Sequence, residues 1–114
     1  MQPLQTIVAI AMDDALLRSL AFALGVEGYS VQPYNTWHAA RAMMATSICV
    51  IVDIDICRDD ADARRSLLDP ESRIVLLSDG MPPPALSPSV CVIPKPLDGS
   101  DILVGVDQFR RAHT

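Results

Sequence analysis

Five short β-prone runs alternate with segments whose apolar positions recur every three or four residues. The runs cover Thr6–Ala11, Ser30–Tyr34, Ile48–Asp53, Arg73–Leu77 and Val90–Ile93. The first, third and fourth are continuously apolar instead of alternating, the pattern of parallel strands covered on both faces. Pro33 interrupts the second, and a residue without a ladder donor belongs at a sheet edge. Leu16, Leu17, Leu20 and Leu24 give a helical stripe from about Asp14 to Val26, which Gly28 stops. Asn35 or Thr36 can cap a second helix running through Met44. A third is predicted over Asp60–Leu68, ending before Pro70. The last covers Ser100–Ala112, with Ile102, Leu103, Val106 and Phe109 inward and Arg110 and Arg111 at its negative pole. Strand–helix alternation of this kind predicts a three-layer α/β fold around a parallel sheet.

One connection breaks the pattern. The stretch from Gly80 to Ser89 holds four prolines, which remove donors and clash with the preceding turn, so the fourth helix is expected to be shortened or absent. No repeat or linker interrupts the chain, and 114 residues suit a single domain over 1–114 with no output domain attached. A net charge of −5 argues against nucleic acid, which requires a basic surface. Cys49, Cys57 and Cys91 form no C-x-x-C pair and no metal-ligand spacing. Without a secretion signal or an apolar stretch of membrane length, a cytoplasmic protein is expected, with no membrane partner.

In a parallel α/β sheet, reactive groups collect beyond the C-terminal strand ends. There the chain places Asp13 and Asp14 after strand one, Asp53 ending strand three, Ser78 after strand four and Lys95 after strand five. Lys95 is the sole lysine. A carboxylate, a hydroxyl and an ammonium on one rim suit phosphoryl transfer to an aspartate.

On the segments LAFALGVEGYSV (20–31), ICVIVD (48–53), IVLLS (74–78) and VCVIPKPL (90–97), the chain resembles the response-regulator receiver domains of two-component signalling. The resemblance implies a flavodoxin-like five-stranded sheet of order 2-1-3-4-5. It implies Asp53 as phosphoacceptor, Ser78 as the family's hydroxyl and Lys95 as its lysine, with the Lys95–Pro96 bond typically cis. It also implies Mg²⁺ held by Asp53, by the Asp55 carbonyl and by an acidic pair ending strand one. Here the ungapped register puts that pair on Ala11 and Met12, with Asp13 or Asp14 as displaced candidates. Val92 stands where the family has a switch aromatic, and Ile54-Asp55-Ile56-Cys57-Arg58 replaces its Pro-Gly turn.

The expected function is a stand-alone receiver phosphorylated on Asp53 by a histidine kinase or phosphotransfer protein, acting on a downstream protein target. The alternative is a phosphorylation-independent pseudo-receiver used for docking or dimerisation, and a homodimer is left open. No enzyme turnover beyond transfer to itself is expected. A flavin or dinucleotide fold would need a phosphate loop or G-x-G-x-x-G, and neither occurs. Plainer readings stand beside the sharp ones. Asp59, Asp60 and Asp62 suit capping and first-turn charge. Ser78-Asp79-Gly80 is ordinary turn chemistry. Cys57 is expected to be unreactive beside acidic neighbours. Trp37, Met43 and Met44 suit packing.

Overall fold

The computed structural model describes residues 5–81, 85–95 and 99–113, with side chains for all of these save 99 and 111–113. Five parallel strands, β1 (Gln5–Ile10), β2 (Tyr29–Tyr34), β3 (Cys49–Asp53), β4 (Ile74–Ser78) and β5 (Cys91–Pro94), lie in the order β2-β1-β3-β4-β5. Among them run α1 (Asp14–Val26), α2 (Trp37–Met44), α3 (Ile54–Asp59), α4 (Ala61–Ser66) and α5 (Gly99–His113). The expected sheet order is the one observed. Among the described residues, no helix is long and apolar enough to cross a membrane.

Each central strand feeds two cores. Ile7, Ala9, Ile51, Val75 and Leu77 point to one face, where Leu17, Leu20 and Leu24 of α1 and Ile102, Val106 and Phe109 of α5 cover them. Val8, Ile10, Val50, Val52, Ile74 and Leu76 point to the other, under Trp37, Ala40, Ala63 and Leu67. Burial on both faces is why these strands read as unbroken apolar runs. Pro33 lies on edge strand β2, as its missing donor predicts.

The helices begin where side chains can cap them. Asp13 accepts from the N–H groups of Ala15 and Leu16, and Thr36 accepts from that of Ala39. Gly28, at φ +92°, turns the chain out of α1 into β2. Tyr29, which opens β2, donates its hydroxyl to Asp107 of α5 at 2.9 Å.

The β3–β4 connection departs from the expected single helix over 60–68. Asp60 takes an extended conformation and its carboxylate accepts from Asp62 N–H and Ala63 N–H, so it ends α3 and starts α4. Ile54, Ile56 and Cys57 of α3 are buried in the second core. Their β-branched, six-residue run carries little helical propensity, and burial overrides it. Arg64 donates to the carbonyls of Cys57 and Arg58, which α3 leaves unpaired at its end.

In the β4–β5 crossover the described residues carry no helix. Leu86 and Val90 pack onto the core face there, and Ser87 N–H donates to the Leu67 carbonyl at 2.7 Å. Residues 82–84, three of the prolines, lie outside the described residues.

Two glycines of one helix–strand connection should respond oppositely to alanine. At Gly25 an added Cβ meets nothing within 4 Å and φ is ordinary, so Gly25→Ala should stabilise by about 0.5–1 kcal/mol. Gly28→Ala forces a side chain into positive φ and should cost about 1 kcal/mol or more. Urea unfolding followed by Trp37 fluorescence checks both signs.

Candidate functional site

β3, β4 and β5 are neighbours in register, with Asp53 opposite Leu77 and Ser78 opposite Pro94. This register brings Asp53, Ser78 and Lys95 to the C-terminal rim of adjacent strands. Asp53 is 4% exposed and Ser78 7%. Lys95 Nζ donates to Asp53 Oδ1 at 3.0 Å, and the Lys95 backbone N–H donates to the Ser78 carbonyl at 2.9 Å. The strand ladder thus aims the ammonium at the carboxylate. A carboxylate this buried needs a cation, because its desolvation is otherwise uncompensated.

The other rim carboxylates are turned elsewhere. β1 ends at Ile10, followed by buried Ala11 and exposed Met12. Asp13 spends its carboxylate on the α1 cap, and Asp14 accepts from Asn35 Nδ2 at 3.0 Å. The same Asn35 amide donates to the Ala11 carbonyl at 3.0 Å, fixing the β1–α1 loop. Asp55 lies in the first turn of α3, paired with Arg58 at 3.0 Å. Arg58 also grips Asp79 in two bonds of 2.6 and 3.1 Å. Its guanidinium, helped by the Met81 N–H, holds the Asp79 carboxyl down at about 2.

Mg²⁺ wants near-octahedral oxygens, commonly with more than one carboxylate. Among the described residues, no three His, Cys, Asp or Glu side chains gather in a way that could hold a metal ion. The donor set here therefore does not fit the ion that the receiver resemblance implies. Pro96, whose bond to Lys95 the resemblance implies to be cis, lies outside the described residues. Val92 is partly exposed on edge strand β5, a small side chain in the position of the family's switch aromatic.

The Arg58 clasp was not legible beforehand. The Asp55–Arg58 spacing is visible along the chain, but Asp79 is brought to it only by the β3–β4 pairing. Cys57 sits buried on α3, where burial first and the nearby Asp53 charge second push its thiol up to about 12. The expected acidic influence is present, but desolvation leads it. Burial likewise raises Cys49 to about 12.

Replacing Lys95 by Met strands a buried charge and should cost about 2–4 kcal/mol, whereas Asp53→Asn should cost about 1 kcal/mol or less; urea unfolding checks the ratio. The clasp is a depressed-carboxylate case. It contributes fully above the ordinary 3.8 of Asp79 and is lost as pH falls towards about 2. An NMR titration of the Asp79 carboxyl should show that low midpoint, and Arg58→Ala should return it to the usual range. At neutral pH a thiol reagent should label the partly buried Cys91 first, with Cys49 and Cys57 reacting only on unfolding.

No family model matches the chain. Among known proteins, the transcriptional regulator protein FixT of Rhizobium meliloti (strain 1021) is 39% identical over 102 residues, covering 87% of each chain. Among solved structures, a response regulator receiver protein from Sinorhizobium medicae WSM419 superposes with a TM-score of 0.68 at 18% identity, over 97% of this chain and 98% of that one. The N-terminal domain of a response regulator/sensory box/GGDEF 3-domain protein from Carboxydothermus hydrogenoformans gives 0.74 at 16% identity, over 96% of each. Structural likeness at such identities speaks for the fold, and the sequence relation to FixT speaks for kinship. The chain is a member of the FixT family, built on the fold of a response-regulator receiver domain.

Proposed function

We propose that this protein is a regulatory module of two-component signalling that acts by binding another protein and does not depend on Mg²⁺-assisted phosphorylation. The observation that carries this reading is the end of β1. Ala11 and Met12 bring no carboxylate to the rim, and Asp13 is committed to the α1 cap. Without a second carboxylate to help Asp53 hold a divalent cation, Lys95 is left, among the described residues, to offset the charge of an incoming phosphoryl group. The partners would be a histidine kinase or phosphotransfer protein on one side and a downstream target on the other. FixT is called a transcriptional regulator protein. A chain of net charge −5 would exert such control through protein contact, without touching DNA.

The second reading is the phosphoacceptor one, with Asp53 modified, Ser78 and Lys95 holding the product, and no turnover beyond transfer to itself. It is favoured by the convergence of those three residues at one rim. Intact-mass measurement after incubation with acetyl phosphate and Mg²⁺ separates the two. The first reading expects no adduct in the folded protein and no binding of beryllium fluoride. An adduct lost on chelation and in Asp53→Asn would establish the second.

A further inference from the structure

We infer that the outer face of α1 is a self-complementary interface that takes a second copy of this chain, with the two α1 helices antiparallel. The inference does not rest on any reading of Asp53. Residues 15, 18, 19, 22, 25 and 26 recur at helical spacing and are all exposed. Phe22 is 77% exposed and Val26 70%, the two most exposed large hydrophobic side chains among the described residues. Ala15, Ser19 and Gly25 complete the face; Arg18 is the one charge among these six positions, and exposed Asp14 borders them one turn before it. A solvent-facing helix surface normally carries several charges.

The charges say what covers it. Among the described residues Arg18 has no ion-pair partner, and the α1 last turn holds no basic residue. Instead the helix ends on Glu27, a carboxylate at the negative pole. A twofold axis through Phe22 sets position 18 of one copy against position 26 of the other. Arg18 then reaches the C-terminal turn and Glu27 of the second copy, and symmetry repeats the contact. One surface supplies both the unpaired cation and the uncompensated helix end.

The small positions match as well. The same axis sets Ser19 against Gly25 of the second copy. Nothing lies within 4 Å of a Cβ built on Gly25, so the fold gives no packing reason for a glycine there. Close approach of a second backbone gives one. Phe22 packs on its symmetry mate and on Val26. A helix of 13 residues spans ~20 Å, which places the buried area at the low end of protein interfaces and makes the dimer reversible.

The test is sedimentation velocity of the whole chain from micromolar to millimolar concentration, with circular dichroism to show that each variant is folded. Wild type should pass from monomer to dimer as concentration rises. Phe22→Asp should raise the dissociation constant by about tenfold or more. Arg18→Glu and Glu27→Arg should each weaken the dimer several-fold, and the two together should restore it. Gly25→Ala should raise the melting temperature while weakening association, a combination that a purely structural role would not produce. A wild type that stays monomeric throughout overturns the proposal, including the case where α1 is found covering itself with a different protein. So does a dimer indifferent to Phe22→Asp, or a charge-swapped pair that fails to recover.

Discussion

Covering the sheet on both faces is the constraint from which the rest follows. Once α1 and α5 close one side and α2, α3 and α4 the other, the interiors of β1, β3 and β4 can hold only apolar side chains. Polar chemistry is pushed to the C-terminal strand ends, and there the spacing of parallel strands decides what meets. Asp53 and Ser78 are the polar residues that end strands while remaining buried. Their burial makes Lys95 obligatory, because a carboxylate removed from water without a cation would destabilise the sheet end that carries it.

Three of the rim carboxylates are therefore balanced by fixed protein cations. Lys95 answers Asp53, and Arg58 answers Asp55 and Asp79 together. Asp53, Asp55 and Asp79 thus keep little uncompensated negative charge, while Asp13 and Asp14 are held by neutral donors in the β1–α1 loop. The clasp also ties the start of the β4–β5 crossover to α3. Ser87 adds a second tether, through its N–H to the Leu67 carbonyl at the end of α4. A crossover pinned at both points, with no helix in its described part, has less freedom to relay a change at Asp53 than a free helix would.

The sequence was most readable where burial is periodic. The stripe Leu17-Leu20-Leu24 located α1 with its observed bounds, and unbroken apolar runs located β1, β3 and β4 to within a residue. Pro33 identified its edge because a missing donor is a local property. What stayed hidden depended on contacts between distant residues. The six residues that follow β3 became a helix because packing against the second core outweighs the poor propensity of Ile54 and Ile56. Along the chain Asp13 reads as a displaced metal-ligand candidate, and only the path of the backbone after Ala11 shows its carboxylate capping α1 at Ala15 and Leu16. Arg58 found Asp79 across 21 residues.

The same ladder geometry limits how copies of this chain can meet. Tyr34 accepts from Ala11 N–H, so in an extended strand the neighbouring Pro33 faces the free side of β2. Lys95 donates to Ser78, so Pro94 likewise faces the free side of β5. Each outer edge of the sheet thus has a gap in its row of donors where another strand would pair, a known guard against edge-to-edge association. Association is left to the helical faces. Among those, α5 surrounds exposed Val104 with Asp101, Gln108 and Arg110, a mixed surface that suits water. The outer side of α1 presents Phe22 and Val26 with a single arginine, a surface that water serves poorly and that its own copy complements.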